Sequence, residues 1–161
     1  MPDGSPKKIK SAPKRWFVFA GICVVVAAVV FGVWPSGDAS AEPPRVRINN
    51  ATVQVELADT LRERTQGLSG RQSLADNHGM LFIFPEPGRP DFHMKDMQFC
   101  IDIIWLDQHR TVVDITSTIC PETIPNTYSP GQPAQYVLEV PAGFSSGQNI
   151  SVGDSARFDI E

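Results

Sequence analysis

Residues 91–117 read DFHMKDMQFCIDIIWLDQHRTVVDITS, and their reading decides the fold class. Two apolar-rich runs, Ile101–Leu106 and Thr111–Ile115, flank the short polar segment Asp107–Arg110. Extended runs of Ile, Val, Thr and Trp joined by a few polar residues predict an antiparallel hairpin. Setting Leu106 opposite Thr111 also sets Ile104 opposite Val113 and Asp102 opposite Ile115. Side chains alternate along a strand, so Asp102, Ile104, Leu106, Thr111, Val113 and Ile115 then share one face. Ile101, Ile103, Trp105, Val112, Asp114 and Thr116 form the other, more mixed face. This places Asp102 on the more apolar side. An unpaired buried carboxylate costs several kcal/mol, a large part of a small domain's stability. Asp102 therefore requires a cation or hydrogen-bond donors, and Lys95 and Arg64 are the candidate cations. A structural buried pair is the commoner arrangement, a functional one the rarer.

Upstream of the hairpin, Gly79–Phe84 (GMLFIF) is apolar without alternation, as in a strand buried on both faces. Pro85–Pro90 (PEPGRP) predicts an exposed, stiff loop that ends it, with Asp91–Met97 extended beyond. Earlier still, Val46–Asn49 and Thr52–Leu57 alternate and predict two short strands turning at Asn49-Asn50. Asp59 is the expected N-cap of a short helix over Thr60–Gln66 that stops at Gly67, with Leu61, Thr65 and Leu68 along one side. Downstream, Cys120–Gln135 carries Pro121, Pro125, Pro130 and Pro133 and predicts a long loop wrapped on the domain. Tyr136–Val140 (YVLEV) predicts a buried strand with Glu139 embedded in it. Phe144–Asn149 predicts a helical turn and Ala156–Ile160 a closing strand. The whole predicts a mainly β single domain with one or two short helices, a compact and partly closed barrel.

The 161-residue chain divides by composition. Residues 1–15 hold five cations against one acid and predict a basic cytoplasmic N-terminus. Trp16–Trp34 is uncharged and, as a helix, spans roughly 28 Å, close to a bilayer core. Two readings fit it. One is a single-pass anchor with the N-terminus inside and the domain outside. The other is the core of a signal peptide, with Ala39-Ser40-Ala41 as a cleavage pattern and a secreted or periplasmic product. The length of the run favours the anchor. Residues 35–45 are a Pro/Ser/Ala linker, and 46–161 form the extracytoplasmic domain under either reading. From Glu42 onward, 9 Lys and Arg stand against 16 Asp and Glu, a formal charge of −7. That balance argues against nucleic acid and against adhesion to anionic headgroups.

The ordered set RTQGLSGRQSL (64–74), GMLFIF (79–84), FHMKDM (92–97), IDIIWLD (101–107), YSPGQPAQYVLEVPAG (128–143) and VGD (152–154) resembles the domain of unknown function 192, found in bacteria and archaea. The resemblance runs from about Ala51 to Ile160. It implies a compact, mostly β single domain, often exported or anchored, and it carries no activity. One departure stands out: Cys100 occupies the place where the family usually has proline before the I-D-I strand.

Cys100 and Cys120 are the cysteines outside the apolar N-terminal run, and export favours a disulfide between them. In the expected register Cys100 faces position 117, so Cys120 has to curl back to reach it. Two free buried thiols are the alternative. Asp91 and His93 share a strand face and His78 lies elsewhere, too sparse a set for a metal centre. There is no G-x-S-x-G elbow and no glycine-rich phosphate loop, so no cofactor is indicated. Phe92, Phe99 and Trp105 suit a core better than a stacking platform. Arg64, Lys95, Asp102, Tyr128 and Glu139 are the polar residues within the family-like motifs, and a ligand site is expected where they converge. The leading expectation is a membrane-anchored module of the cell envelope that binds a small or glycan-like ligand or an envelope protein. Alternatives are a hydrolase or transferase using Asp102 or Glu139 with Lys95 or Arg64, and an assembly or stability factor.

Overall fold

The computed structural model describes residues 42–123 and 126–160. The elements are β1 (Arg45–Ile48), β2 (Ala51–Ala58), α1 (Leu61–Gln66), β3 (His78–Gly88), β4 (Phe92–His93), β5 (Ile101–Leu106), β6 (Val112–Ile119), β7 (Thr127–Tyr128), β8 (Ala134–Pro141), α2 (Phe144–Gly147) and β9 (Ala156–Arg157), with a 3-10 turn at Pro121–Thr123. Seven strands form one sheet in the order β6-β5-β8-β3-β2-β1-β9, and β4 pairs with β7 as a separate ribbon. Neighbours are antiparallel except β2 and β3, which are parallel and connected through α1. The sheet curls until its edges meet. Thr111 bridges to Ser155, and Val112 N donates to Asp154 O at 2.8 Å beside it. The mainly β, partly closed barrel expected from the sequence is the fold observed.

Curling gives the sheet two apolar faces. The concave interior gathers Val53, Val55, Leu81, Ile104, Leu106, Leu138 and Val140. The outer face of the central strands carries Met80, Phe82, Ile103, Trp105 and Val137, packed with Leu68 and Met94 from the segments that cover it. Strand β5 is consequently buried along its whole length. The more mixed face expected for it is no solvent face but a second core. Trp105, fully buried there, keeps its indole N–H satisfied by donating to Thr116 Oγ1 at 3.0 Å.

The hairpin forms where the sequence places it, in a different register. Leu106 pairs with Val112, Ile104 with Ile115, Ile103 with Thr116 and Ile101 with Ile119, with irregularities between Trp105 and Leu106 and between Ile101 and Ile103. Each irregularity puts an extra residue in β6, so the strand bends and its faces are reassigned. Val112 packs inside with Leu106, while Val113 packs outside with Trp105.

Other boundaries shift for local reasons. The N-cap of α1 is Thr60 rather than Asp59, because Thr60 and Glu63 form a reciprocal capping box. Glu63 N donates to Thr60 Oγ1 at 3.2 Å, and Thr60 N donates to Glu63 Oε2 at 3.1 Å. Leu61 is 76% exposed and takes no part in an apolar side, whereas Leu68 is buried. Strand β3 runs through Pro85 and Pro87 to Gly88, where it pairs with Ala134 beyond a shift in register. Asp91–Met97 is extended only at β4, after which Asp96 adopts φ +58° and turns the chain. At Gly79 an added Cβ would lie 2.5 Å from the Glu139 carbonyl, so β3 and β8 approach closely only because that position is glycine. Among the described residues no helix is long and apolar enough to cross a membrane. The expected membrane segment, 16–34, and most of the linker, 35–45, lie outside them.

Cys100 and Cys120 form a disulfide with Cα atoms 4.1 Å apart across 20 residues of sequence. It clamps the start of β5 to the end of β6, where the second irregularity has brought Ile101 opposite Ile119. Denatured, unreduced chain should titrate one thiol, that of Cys23, and three after reduction. Replacing both Cys100 and Cys120 by serine should lower stability by about 3 kcal/mol in a urea titration.

Candidate functional site

Asp102 and Glu139 lie on adjacent strands but on opposite faces of the sheet. Ile103 is the partner of Glu139 and Val140 the partner of Asp102, and directly paired residues point the same way. Asp102 therefore points into the interior with Val140, and Glu139 outward with Ile103.

Asp102 is fully buried and needs no cation. Its Oδ1 accepts from Thr118 N at 2.8 Å and Gly143 N at 3.1 Å, and its Oδ2 from Ser145 N at 2.9 Å. Lys95 and Arg64, the partners expected from the sequence, are replaced by backbone donors. The irregular stretch of β6, with Thr118 at φ +52°, turns one N–H inward. Gly143, at φ +82°, starts α2 and supplies the turn from which the other two point. The carboxylate thus ties β5, β6 and the β8–α2 turn together, sealed from solvent. Its role is structural.

Glu139 is in a different situation. It is 7% exposed, and its Oε2 is buried without a hydrogen-bond partner among the described residues. Met80 of β3 and Ile103 of β5 flank it in the row across the sheet. Burial pushes its carboxyl up to about 8, against the opposing pull of the Arg71 guanidinium. Arg71 is itself engaged by Glu56 in a two-pronged pair, Nη2 to Oε2 at 2.8 Å, which lowers the Glu56 carboxyl and raises Arg71. At neutral pH Glu139 is mainly the uncharged acid, able to donate and to accept.

Glu139 lies at a cleft of about 290 Å³ with Arg64, Asp91 and His93 among its polar lining and Phe82, Phe84 and Phe92 among its apolar lining. One wall is α1 and the turn after it, where Gly67 at φ +48° brings the chain close to the Phe82 ring. The other is the stretch from Pro90 to Met97. Ser69 Oγ donates to Lys95 O at 2.9 Å and Gly70 N to Asp96 O at 2.8 Å, joining the two walls. Arg64 donates through Nη1 to Ile83 O at 2.9 Å and stacks over Phe84 at 5.3 Å. Asp91 accepts from Ser129 Oγ. The Phe92 ring stands edge-on to Phe82, Phe84 and Trp105, so it is at once core and cleft wall.

Of the five residues expected to converge, only Arg64 and Glu139 share this cleft. Lys95 is exposed and contributes its carbonyl, Asp102 faces the interior, and Tyr128 packs on the outer core through the β4–β7 ribbon. Asp91 and His93, weighed only as a metal pair, belong to the cleft instead. The alternation of Phe82 and Phe84 along one strand was the available signal for its aromatic wall.

Residues 45–158 match the family DUF192, described as "Uncharacterized ACR". The chain belongs to this family. Curated relatives of the DUF192 domain include a UPF0127 protein of Thermococcus gammatolerans, 35% identical over 66% of this chain and 67% of that protein. A UPF0127 protein of Pyrococcus abyssi is 36% identical over 65% of this chain and 86% of that protein. Among solved structures, a protein of unknown function from Novosphingobium aromaticivorans has a TM-score of 0.67 at 27% identity, covering 70% of this chain and 83% of that one. A Sinorhizobium meliloti protein described as a candidate transcription regulator has a TM-score of 0.68 at 30% identity, covering 76% and 98%.

Two outcomes follow for this DUF192 domain. Because Glu139 has a raised pKa when folded, the native state holds a proton that the unfolded chain gives up above about pH 4.5. The contribution of Glu139 to stability is therefore fullest below that pH and is lost as pH rises through about 8. Denaturant titrations should show the wild type losing stability relative to Glu139→Gln between pH 5 and 8, by on the order of 4 kcal/mol. Asp102→Ala leaves three N–H groups without their acceptor and should lose about 2–4 kcal/mol at neutral pH.

Proposed function

We propose that this domain is a binding module for a small, hydroxyl-bearing ligand such as a sugar unit, held outside the cytoplasmic membrane by the N-terminal segment. The observation that carries this reading is Glu139: a buried, unpartnered carboxyl oxygen beside an aromatic-walled cleft. Such an orphan oxygen is costly unless something completes it. An uncharged carboxylic acid donates one hydrogen bond and accepts others, which matches the dual character of a hydroxyl. Phenylalanine rings offer apolar faces to the C–H side of a sugar ring, and Arg64 adds donors fixed by its stacking on Phe84. The cleft volume sits at the small end of ordinary ligand sites, about 300–1,000 Å³.

Export is supported by the basic N-terminus, the uncharged run that follows it and the Cys100–Cys120 disulfide, a bond favoured in oxidising compartments. A paired-carboxylate hydrolase lacks support, since Asp102 and Glu139 occupy opposite faces and cannot flank one bond. The Sinorhizobium meliloti protein is described as a candidate transcription regulator; for this chain, direct binding of nucleic acid is disfavoured by the formal charge of −7 from Glu42 onward.

Saturation-transfer NMR of the full chain with a panel of mono- and disaccharides tests the reading. At least one sugar should bind at pH 7, more weakly above pH 8 as Glu139 ionises. Glu139→Gln, which keeps a donor and an acceptor, should bind without that pH dependence, and Arg64→Ala should bind more weakly. Absence of binding across the panel, or binding indifferent to Glu139→Ala with the fold intact by circular dichroism, would sink it.

A further inference from the structure

Beside the seam where the edges of the sheet meet lies a second concavity, of about 930 Å³, with Arg45, Arg47, Arg110 and Arg157 among its lining residues. These are four of the nine cations from Glu42 onward in a stretch that is otherwise acidic. It shares no lining residue with the Glu139 cleft.

Arg47 of β1 and Arg157 of β9 are directly opposed across the ladder. Both are exposed, and neither has an ion-pair partner among the described residues. Like charges placed opposite one another on neighbouring strands repel, which is unfavourable for folding in the absence of an anion between them. Arg110 is already positioned: its Nη1 donates to Phe158 O at 2.6 Å and its guanidinium lies 4.4 Å over the Phe158 ring. Arg45, two residues before Arg47 and on the same side of β1, leans on Glu42 at 3.0 Å. Two of the three acids in the concavity are engaged, Glu42 by Arg45 and Asp154 by Asn49 Nδ2 and Ser151 N, each at 2.7–2.8 Å from the aspartate. Asp159 is the third.

We propose that this concavity binds a phosphate-bearing ligand through Arg47 and Arg157, with Arg110 and Arg45 beside them. A carboxylate is planar and fills one guanidinium fork. A tetrahedral phosphate directs oxygens both ways and engages two opposed forks at once. The space exceeds what a single phosphate needs, so the phosphate belongs to a larger molecule, whether a soluble phosphorylated compound or a lipid headgroup.

The test is calorimetric titration of the full chain with inorganic pyrophosphate at low ionic strength, beside the double variant R47Q/R157Q. The wild type should bind at one site, more weakly as salt is raised, and the double variant at least about tenfold more weakly. The unliganded double variant should melt no lower than the wild type, because it relieves repulsion; a lowered melting temperature would mark the pair as structural and overturn the proposal. Titration with water-soluble dihexanoyl phosphatidic acid beside glycerol 3-phosphate, both below the micellar range, separates the sources. Tighter binding of the phosphatidic acid that the double variant lacks identifies a headgroup, and pyrophosphate binding without such a preference identifies a soluble ligand. Equal binding by wild type and double variant, no binding of any of these probes, or binding of duplex DNA alone overturns it.

Discussion

A carboxylate buried near the start of β5, Asp102, accepts hydrogen bonds from Thr118, Gly143 and Ser145 and so joins three separate segments of chain. Charge-assisted bonds of this kind are stronger than neutral ones, and leaving them unmade in the interior is costly. The strand that carries Asp102 has no face toward water. From that constraint follows the two-sided build of the domain. The curled interior takes one side of β5, and the other side must be covered by chain that is not sheet. Leu68, Met94 and the β4–β7 ribbon provide that cover.

The Glu139 cleft is a consequence of covering a sheet with irregular chain. A helix or a second sheet would pack on the outer face in a regular way. Here α1 and the 90–97 stretch meet only through a few bonds, at Ser69 and Gly70, and leave a gap beside Glu139. The same outer face that is dry enough to lift the Glu139 carboxyl to about 8 leaves a cleft of about 290 Å³ beside it. Asp102 and Glu139 illustrate how neighbouring strands give two acids opposite fates. One has its lone pairs taken by backbone donors. The other keeps a buried oxygen without a hydrogen-bond partner among the described residues, beside the cleft that its residue helps to line.

Much of the architecture was legible along the chain. Alternation placed β1 and β2, the unbroken apolar runs placed the buried parts of β3, β5 and β8, and the cysteines suggested the clamp that the structure contains. Misjudgements cluster where geometry is inserted rather than patterned. The two irregularities of β6 each add one residue, and a shift of one residue exchanges the faces of a strand. Of Arg64, Lys95, Asp102, Tyr128 and Glu139, only Arg64 and Glu139 share the cleft, because membership in a sequence motif does not record which face of the sheet a side chain takes. The acidic total likewise concealed the gathering of Arg45, Arg47, Arg110 and Arg157, because net charge carries no positions.

What the sequence determined by itself was local: which stretches extend, which residues seek burial, and that an acid within an apolar run must find partners. Which partners those were could only be decided by tertiary structure. The donors to Asp102 are main-chain N–H groups, which every residue but proline possesses and which therefore leave no mark on residue identity. The cleft beside Glu139 depends on β3, β5 and β8 lying side by side, an order that no periodicity within a single strand encodes.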